Sequence, residues 1–391
     1  MITNAVRHRC QTPVRYLTAI FWLKTMSRVL VINPGSTSTK IAVYDGNERL
    51  LEEKLAHSKE ELDQYPHIID QYEIRKGLTL KCLAERQIPL DSLDAIVGRG
   101  GLLHPLEGGC YRVNDQMLDD LRQAVMGEHA SNLGALIARA IGDDIGKPSF
   151  IVDPVVVDEM EPLARYSGAP EIPRISIFHA LNQKAEAHHA AQALGKRYAE
   201  CNFIVAHLGG GISVGAHRRG RVIDVNNALD GDGPFSPERS GGLPAGQLAR
   251  LCFLGKWTLD QIKQRIKGHG GLVAYLGTND GGDIAKRIEA GDDHAREVFE
   301  AMAYQVAKEI GAMAAVLEGE IDAIVITGGL AHIAFFVEWI VKRVRFIAPI
   351  KIMPGEDEMF ALYEGVLPVL HGEEQPKEYA GRQDLTGENE T

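Results

Sequence analysis

Two ten-residue stretches far apart in this chain are nearly the same: LDAIVGRGGL at 93–102 and IDAIVITGGL at 321–330 share seven of ten residues. Each is an apolar, β-branched run ending in a Gly-Gly turn. Upstream of each lies a second matched feature, VLVINPGSTSTKIAVYDG at 29–46 and NFIVAHLGGGISVGAH at 202–217. Both read as strand, polar residue, Gly-rich turn and returning strand, a hairpin rather than a strand feeding a helix. Asn33 and His207 hold the matching polar positions. From Asn33 to Gly100 is 67 residues and from His207 to Gly328 is 121, so the second copy carries about 54 more. These include GDGPFSPERSGG and GGLVAYLGTNDGGD. Two copies at so long a period exclude a solenoid. The expected architecture is two α/β domains of common design.

Helical patterns fill the spaces. Val298, Phe299, Met302, Val306, Ile310, Met313 and Leu317 recur at helical spacing and predict a core-facing helix ending near Gly319. HALNQKAEAHHAAQALGKRY reads as an Ala-rich helix; its His188–His189 pair lacks H-E-x-x-H spacing, which argues against a metal site. A net charge of −11 disfavours nucleic acid and anionic membrane as partners, leaving small molecules. Five scattered cysteines without a CxxC pair suggest neither a disulfide framework nor zinc, and fit the cytoplasm. The basic and apolar opening, with Arg7, Arg9, Arg15 and YLTAIFWL, is a poor secretory signal; residues 1–26 are expected to be an extension outside the fold, with Met26 as the natural start. No run is long enough to span a membrane. Residues 372–391 have little to bury and are expected to be a disordered tail.

The Gly-rich turns exclude two familiar phosphate motifs. GSTSTK lacks the second glycine of a P-loop, GGGISVG breaks the dinucleotide fingerprint, and both open into strands rather than helices. What remains is a hairpin tip offering backbone N–H groups, the hydroxyls of Ser36, Thr37, Ser38 and Thr39, and the charge of Lys40. Two such hairpins can grip one polyphosphate from both sides.

VLVINPGSTSTK, VGRGGLLHP, FIVDPVVVDEM, RISIFHALNQKAEAHH, VAHLGGGISVGAH, PFSPERSGGLP, GGLVAYLGTND and MPGEDEMFALYEG occur in the order found in the acetokinase family. From about Arg28 to His371 the chain resembles that family, within the actin-like, sugar-kinase and heat-shock ATPase superfamily. The resemblance implies two duplicated ribonuclease-H-like α/β domains around a nucleotide cleft, expected at 27–158 plus 359–371 and at 159–358. It implies a kinase that phosphorylates a short-chain carboxylate with ATP, reversibly and by in-line transfer. NPGSTSTK resembles the butyrate type of the loop rather than the acetate type. Acetate, propionate or a branched acid is the alternative, because two methylenes are worth only ~1.6 kcal/mol. A nucleotide-dependent clamp is the alternative of another class.

The resemblance also implies roles. Arg99 and Arg239 are expected to neutralise the carboxylate and the moving phosphoryl group, for which a planar, permanently charged guanidinium is suited. His179 is expected to donate to phosphoryl oxygens from a strand-to-helix junction, and Asn33 to join the catalytic group. Phosphate binding falls to Ser36, Thr37, Ser38, Lys40, His207, Gly209, Gly210 and Gly211, and nucleoside binding to Asp280, Gly328 and Gly329. His129 is a weaker candidate, since helix entry at Ser131 or Asn132 explains its surroundings equally well. Asp153 and Glu358, with Glu356 the alternative to the latter, are matched to Mg²⁺. ATP/ADP and Mg²⁺ are the expected cofactors and a homodimer or higher homo-oligomer the expected assembly.

Overall fold

The computed structural model describes residues 27–382; the Met26 start and the 1–26 extension lie outside them. Twelve strands form two sheets: β1 Arg28–Pro34, β2 Ser38–Asp45, β3 Glu48–Ala56, β4 Ala95–Gly98, β5 Cys110–Arg112, β6 Ser149–Val152, β7 Asn202–Leu208, β8 Ile212–Arg218, β9 Arg221–Val225, β10 Ala323–Gly328, β11 Ile350–Pro354 and β12 Lys377–Glu378. The first sheet runs β12-β5-β6-β4-β1-β2-β3 and the second β11-β10-β7-β8-β9. Each contains an antiparallel three-strand meander, followed by two strands added in parallel beyond its first strand. Thus β6-β4-β1-β2-β3 repeats as β11-β10-β7-β8-β9, the duplication seen in the residues.

Alternation along the strands buries both faces. Leu30, Ile32, Ile96 and Ile151 face the helices Tyr72–Glu85, Asp115–Gln123 and Asn132–Ile145, while Val29, Val31, Val97 and Phe150 face the helix Glu358–Leu370. In the second sheet Ile204, Ala206, Ile324 and Ile326 meet the helices Asp293–Val316 and Ala334–Val344, including the whole expected stripe from Val298 to Leu317. Phe203, Val205, Ala323 and Val325 meet Ala187, Ala190 and Ala191 of the helix Ala180–Ala193. That helix and Glu358–Leu370 pack on each other, so the sheets are joined through two helices back to back. Their N-termini, at His179 and Asp357, open on the same side as the carboxyl ends of the parallel strands.

Two local expectations need correction. RISIF forms no strand and pairs into neither sheet, so His179 enters its helix from a loop. The expected tail is partly built: Lys377–Glu378 pairs with β5, and buried Tyr379 donates its hydroxyl to Asp120 at 2.7 Å. One aromatic side chain with a hydrogen-bond acceptor is enough to anchor an otherwise polar segment.

Candidate active site

The carboxyl ends of β1, β4, β7, β10 and β11 and the two helix N-termini deliver the site. This is where parallel α/β sheets place ligands, and where helix ends favour anions. Arg99 follows β4, fixed by contact between backbones: a Cβ on Gly98 would lie 2.2 Å from the Gly134 carbonyl oxygen, and one on Gly134 would lie 2.3 Å from that of Arg99. Only glycine at both positions lets strand and helix approach so closely. The Arg99 guanidinium pairs with Glu358, whose second oxygen accepts from Asn33 Nδ2 at 2.9 Å. Burial alone would raise the Glu358 pKa, but Arg99, Asn33 and the charge of Lys40 outweigh it and hold the carboxyl below its ordinary value.

Across the cleft, His207, next to last in β7, has Nδ1 2.6 Å from Asn182 Oδ1 and Nε2 3.3 Å from Glu356. His179 stacks on it, ring centroids 3.9 Å apart. Burial, then His207, Arg239 and Arg99, push the His179 pKa well below that of a free histidine, so its ring is neutral at physiological pH. Both arginines therefore act on one imidazole. The Arg239 guanidinium lies over the second glycine turn: a Cβ on Gly211 would stand 1.9 Å from its Nη1. Nη1 donates to the Ala228 carbonyl at 2.5 Å, and the buried Nε has no partner. Gly209 is bare because a Cβ there would come within 2.8 Å of His207 Nε2, while Ser236 Oγ donates to the Gly210 carbonyl.

The first hairpin tip exposes Ser36 and Thr37 and keeps Ser38 half-buried. Its carbonyls turn inward onto Arg75, a fully buried arginine not anticipated from the sequence. Nη1 of Arg75 reaches the carbonyls of Gly35 and Ser38 and the Thr39 hydroxyl, and Nη2 reaches the carbonyl of Ser36. Lys40 and Asn33, opposite each other in the β1–β2 ladder, line a cleft of about 410 Å³ with Glu186, Glu356, Asp357 and Glu358.

These features decide the family when set beside known proteins. Residues 173–352 match the model of the acetokinase family. Butyrate kinase 2 of Clostridium acetobutylicum is 56% identical over 352 residues, which is 90% of this chain and 99% of that one. The chain belongs to the acetokinase family. Solved structures share the fold at lower identity. The acetate kinase of Porphyromonas gingivalis aligns with a TM-score of 0.73 at 18% identity, over 88% of this chain and 100% of that one. The propionate kinase of Francisella tularensis aligns at 0.66 and 20%, over 87% and 99%.

Within this acetokinase fold some expected site residues stand apart. Asp153 does not line the Asn33–Glu358 cleft. It accepts from the Gly109 N–H at 2.7 Å and lines a separate cavity of about 280 Å³ with His188, His189 and Glu364; burial pushes its pKa up to about 6. Asp280 caps the helix Gly281–Glu289, its Oδ1 accepting from the N–H groups of Gly282 and Asp283. Gly281 nevertheless packs on Leu330, which brings that segment beside Gly328–Gly329. Gly328 is required by the fold, with φ at 90° and the Leu208 backbone 2.5 Å from a Cβ built there, whereas Gly329 faces open space. His129 Nδ1 bonds Ser131 Oγ at 2.8 Å beside the helix entry.

Proposed function

We propose that the preferred acid is butyrate: this chain is an ATP-dependent carboxylate kinase, and the reading we favour is direct transfer of the γ-phosphoryl group to a short-chain fatty acid, giving an acyl phosphate, reversibly. The observation that carries it is the meeting of Arg99, His179 and Arg239 between the carboxyl ends of the two sheets. Two anionic reactants and a negative transferring group repel one another until fixed cations neutralise them and hold them in line.

On this reading Arg239, above Gly211, and the β7–β8 turn hold the terminal phosphate. Arg99 takes the carboxylate, and the neutral His179 ring donates a hydrogen bond to the phosphoryl oxygens. The β1–β2 tip, with Lys40, closes on the phosphates, and Gly329 leaves room for the nucleoside. Mg²⁺ would be held by Glu358 and Glu356, which would give up their present pairing with Arg99 and Asn33 and with His207 to take the ion; Asp357 caps its helix, and Mg²⁺ asks for only one or two carboxylates beside water. When bound it would draw charge from the phosphate oxygens. Asp153 has no part in this arrangement.

Among the described residues no helix is long and apolar enough to cross a membrane. Cys82, Cys110, Cys201 and Cys252 are free thiols, a state that fits the reducing cytoplasm we propose. Exposed Phe253, Leu254 and Leu259 support a homodimer, to be checked by sedimentation. The test of function is to incubate the protein with Mg-ATP, hydroxylamine and acetate, propionate, butyrate and isobutyrate in turn. Acyl hydroxamate forming fastest with butyrate supports the assignment. A higher kcat/KM with another acid reassigns the substrate, and no product with any acid favours a nucleotide clamp.

A further inference from the structure

His179 has two ring nitrogens, and a neutral imidazole donates from only one of them. A donor to phosphoryl oxygen needs the proton on the nitrogen that faces the cleft. Nδ1 lies 2.9 Å from Ser213 Oγ, which leaves Nε2 for the ligand. What sits behind Ser213 decides which nitrogen carries the proton.

Gln183, on the first turn of the helix Ala180–Ala193, donates from Nε2 both to the Ser213 carbonyl at 3.0 Å and to Ser213 Oγ at 2.8 Å. A carbonyl only accepts, so the amide nitrogen is the end that faces Ser213. The Gln183 oxygen must then face the other way, and it lies 2.9 Å from His217 Nε2, which is accordingly an N–H. His217 Nδ1 is left as an acceptor, and Tyr198 supplies the donor with its hydroxyl at 2.7 Å. Gln183, Ser213 and His217 are fully buried and Tyr198 nearly so, so water does not scramble the order. Around Ser213 Oγ the His179 backbone N–H, at 3.5 Å, and the Gln183 amide are both donors. His179 Nδ1 is the acceptor left for the serine proton.

We propose that Tyr198, His217, Gln183 and Ser213 form a one-way hydrogen-bond chain that fixes His179 as the Nε2–H tautomer, making Gln183 and His217 positioning residues for phosphoryl transfer. The strand is shaped for it. Ser213, Gly215 and His217 share one face of β8, and the Gln183 amide lies over the glycine between them: a Cβ on Gly215 would stand 2.6 Å from Gln183 Oε1 and 3.2 Å from His217 Nε2. The inference rests on the reading of His179 as a donor to the phosphoryl group, and the two are separable by experiment.

Nitrogen NMR of ¹⁵N-histidine-labelled protein identifies the protonated nitrogen of each ring without reference to turnover. The expected resting spectrum has His179 and His217 both as Nε2–H. Gln183→Glu gives Ser213 an acceptor in place of a donor. The serine proton turns away from His179, whose proton moves to Nδ1, and kcat falls on the order of 10²-fold with the KM for ATP nearly unchanged. His217→Gln, which can still donate to the Gln183 oxygen, should keep most of the activity, whereas His217→Leu should not. Gly215→Ala, which displaces the amide without altering any member of the chain, should repeat the Gln183→Glu spectrum if Gln183 does not fold normally as Glu. A wild-type His179 carrying its proton on Nδ1, or a folded Gln183→Glu protein with an unchanged spectrum and turnover, would overturn the chain. Full turnover in His179→Ala would instead remove the reading of His179 on which it rests.

Discussion

Arg239, which we propose to be catalytic, shows how little of such a side chain's placement is owed to stability. It is half-buried, its side chain held by one hydrogen bond to Ala228, and its Nε is buried unpaired. An unmet buried donor costs ~1–3 kcal/mol. On the proposed reading, that cost would be offset by an anion bound above Gly211. Arg239→Ala should therefore lower turnover by roughly 10³ or more, about 4 kcal/mol of transition-state stabilisation, without lowering the melting temperature. Near wild-type turnover in the folded variant would remove Arg239 from the mechanism. Gly211→Ala tests the same geometry from the other side. The new methyl would stand 1.9 Å from Nη1, and the flexible guanidinium rather than the strand would yield. Turnover should drop at least about tenfold with little change in thermal stability, as steady-state kinetics and a melting curve would read directly; unchanged turnover would place the working guanidinium elsewhere.

At the scale of elements, the hairpins and the repeated strand-turn units were legible because short apolar, β-branched runs and glycine turns are local signals. Within the expected hairpin the β1–β2 ladder pairs Asn33 with Lys40. Arg75 was not legible. It sits beside Lys76 in a helix of ordinary polarity, and its burial is created by a hairpin tip some forty residues earlier in the chain. For Asp153 the end of a strand can be read, but not which of the neighbouring cavities it opens on, and its positive φ of 37° turns it toward Gly109. Asp280 carried a readable signal, an acid before a helical pattern with another acid at the third position, and it caps that helix. The hydrogen bonds of Arg75 yield the element-scale prediction. Arg75→Met would leave the inward carbonyls of Gly35, Ser36 and Ser38 without their donor. Urea unfolding should show a loss of about 2–4 kcal/mol, and the KM for ATP should rise as the tip loosens. A variant of unchanged stability and KM would mean that the tip holds its shape without help.

At the scale of the whole molecule, the two sheets meet through the helices Ala180–Ala193 and Glu358–Leu370, and the polar link between those helices is His189. Its Nδ1 lies 3.4 Å from Glu186 on its own helix and its Nε2 2.7 Å from Glu364 on the other. Hydrogen bonds to Glu186 and to Glu364 lead the causes that raise its pKa to about 10, against burial, which works the other way. An unfolded histidine titrates near 6.5. Because the folded value is the higher one, the native state binds the proton more tightly, and the link stabilises the fold fully below about pH 6.5. The contribution then fades as pH rises toward 10 and is gone above it. His189→Gln should therefore melt below the wild type at pH 6, with the gap narrowing steadily between pH 6.5 and 10 and closing above. A gap that stays constant across that range would mean that packing between the two helices, rather than a charged imidazole, joins the halves. The same helices carry His179 and Glu358 at their N-termini, so a weakened link should also lower turnover at pH 9 more than at pH 7 in the wild type, and equally at both in the variant.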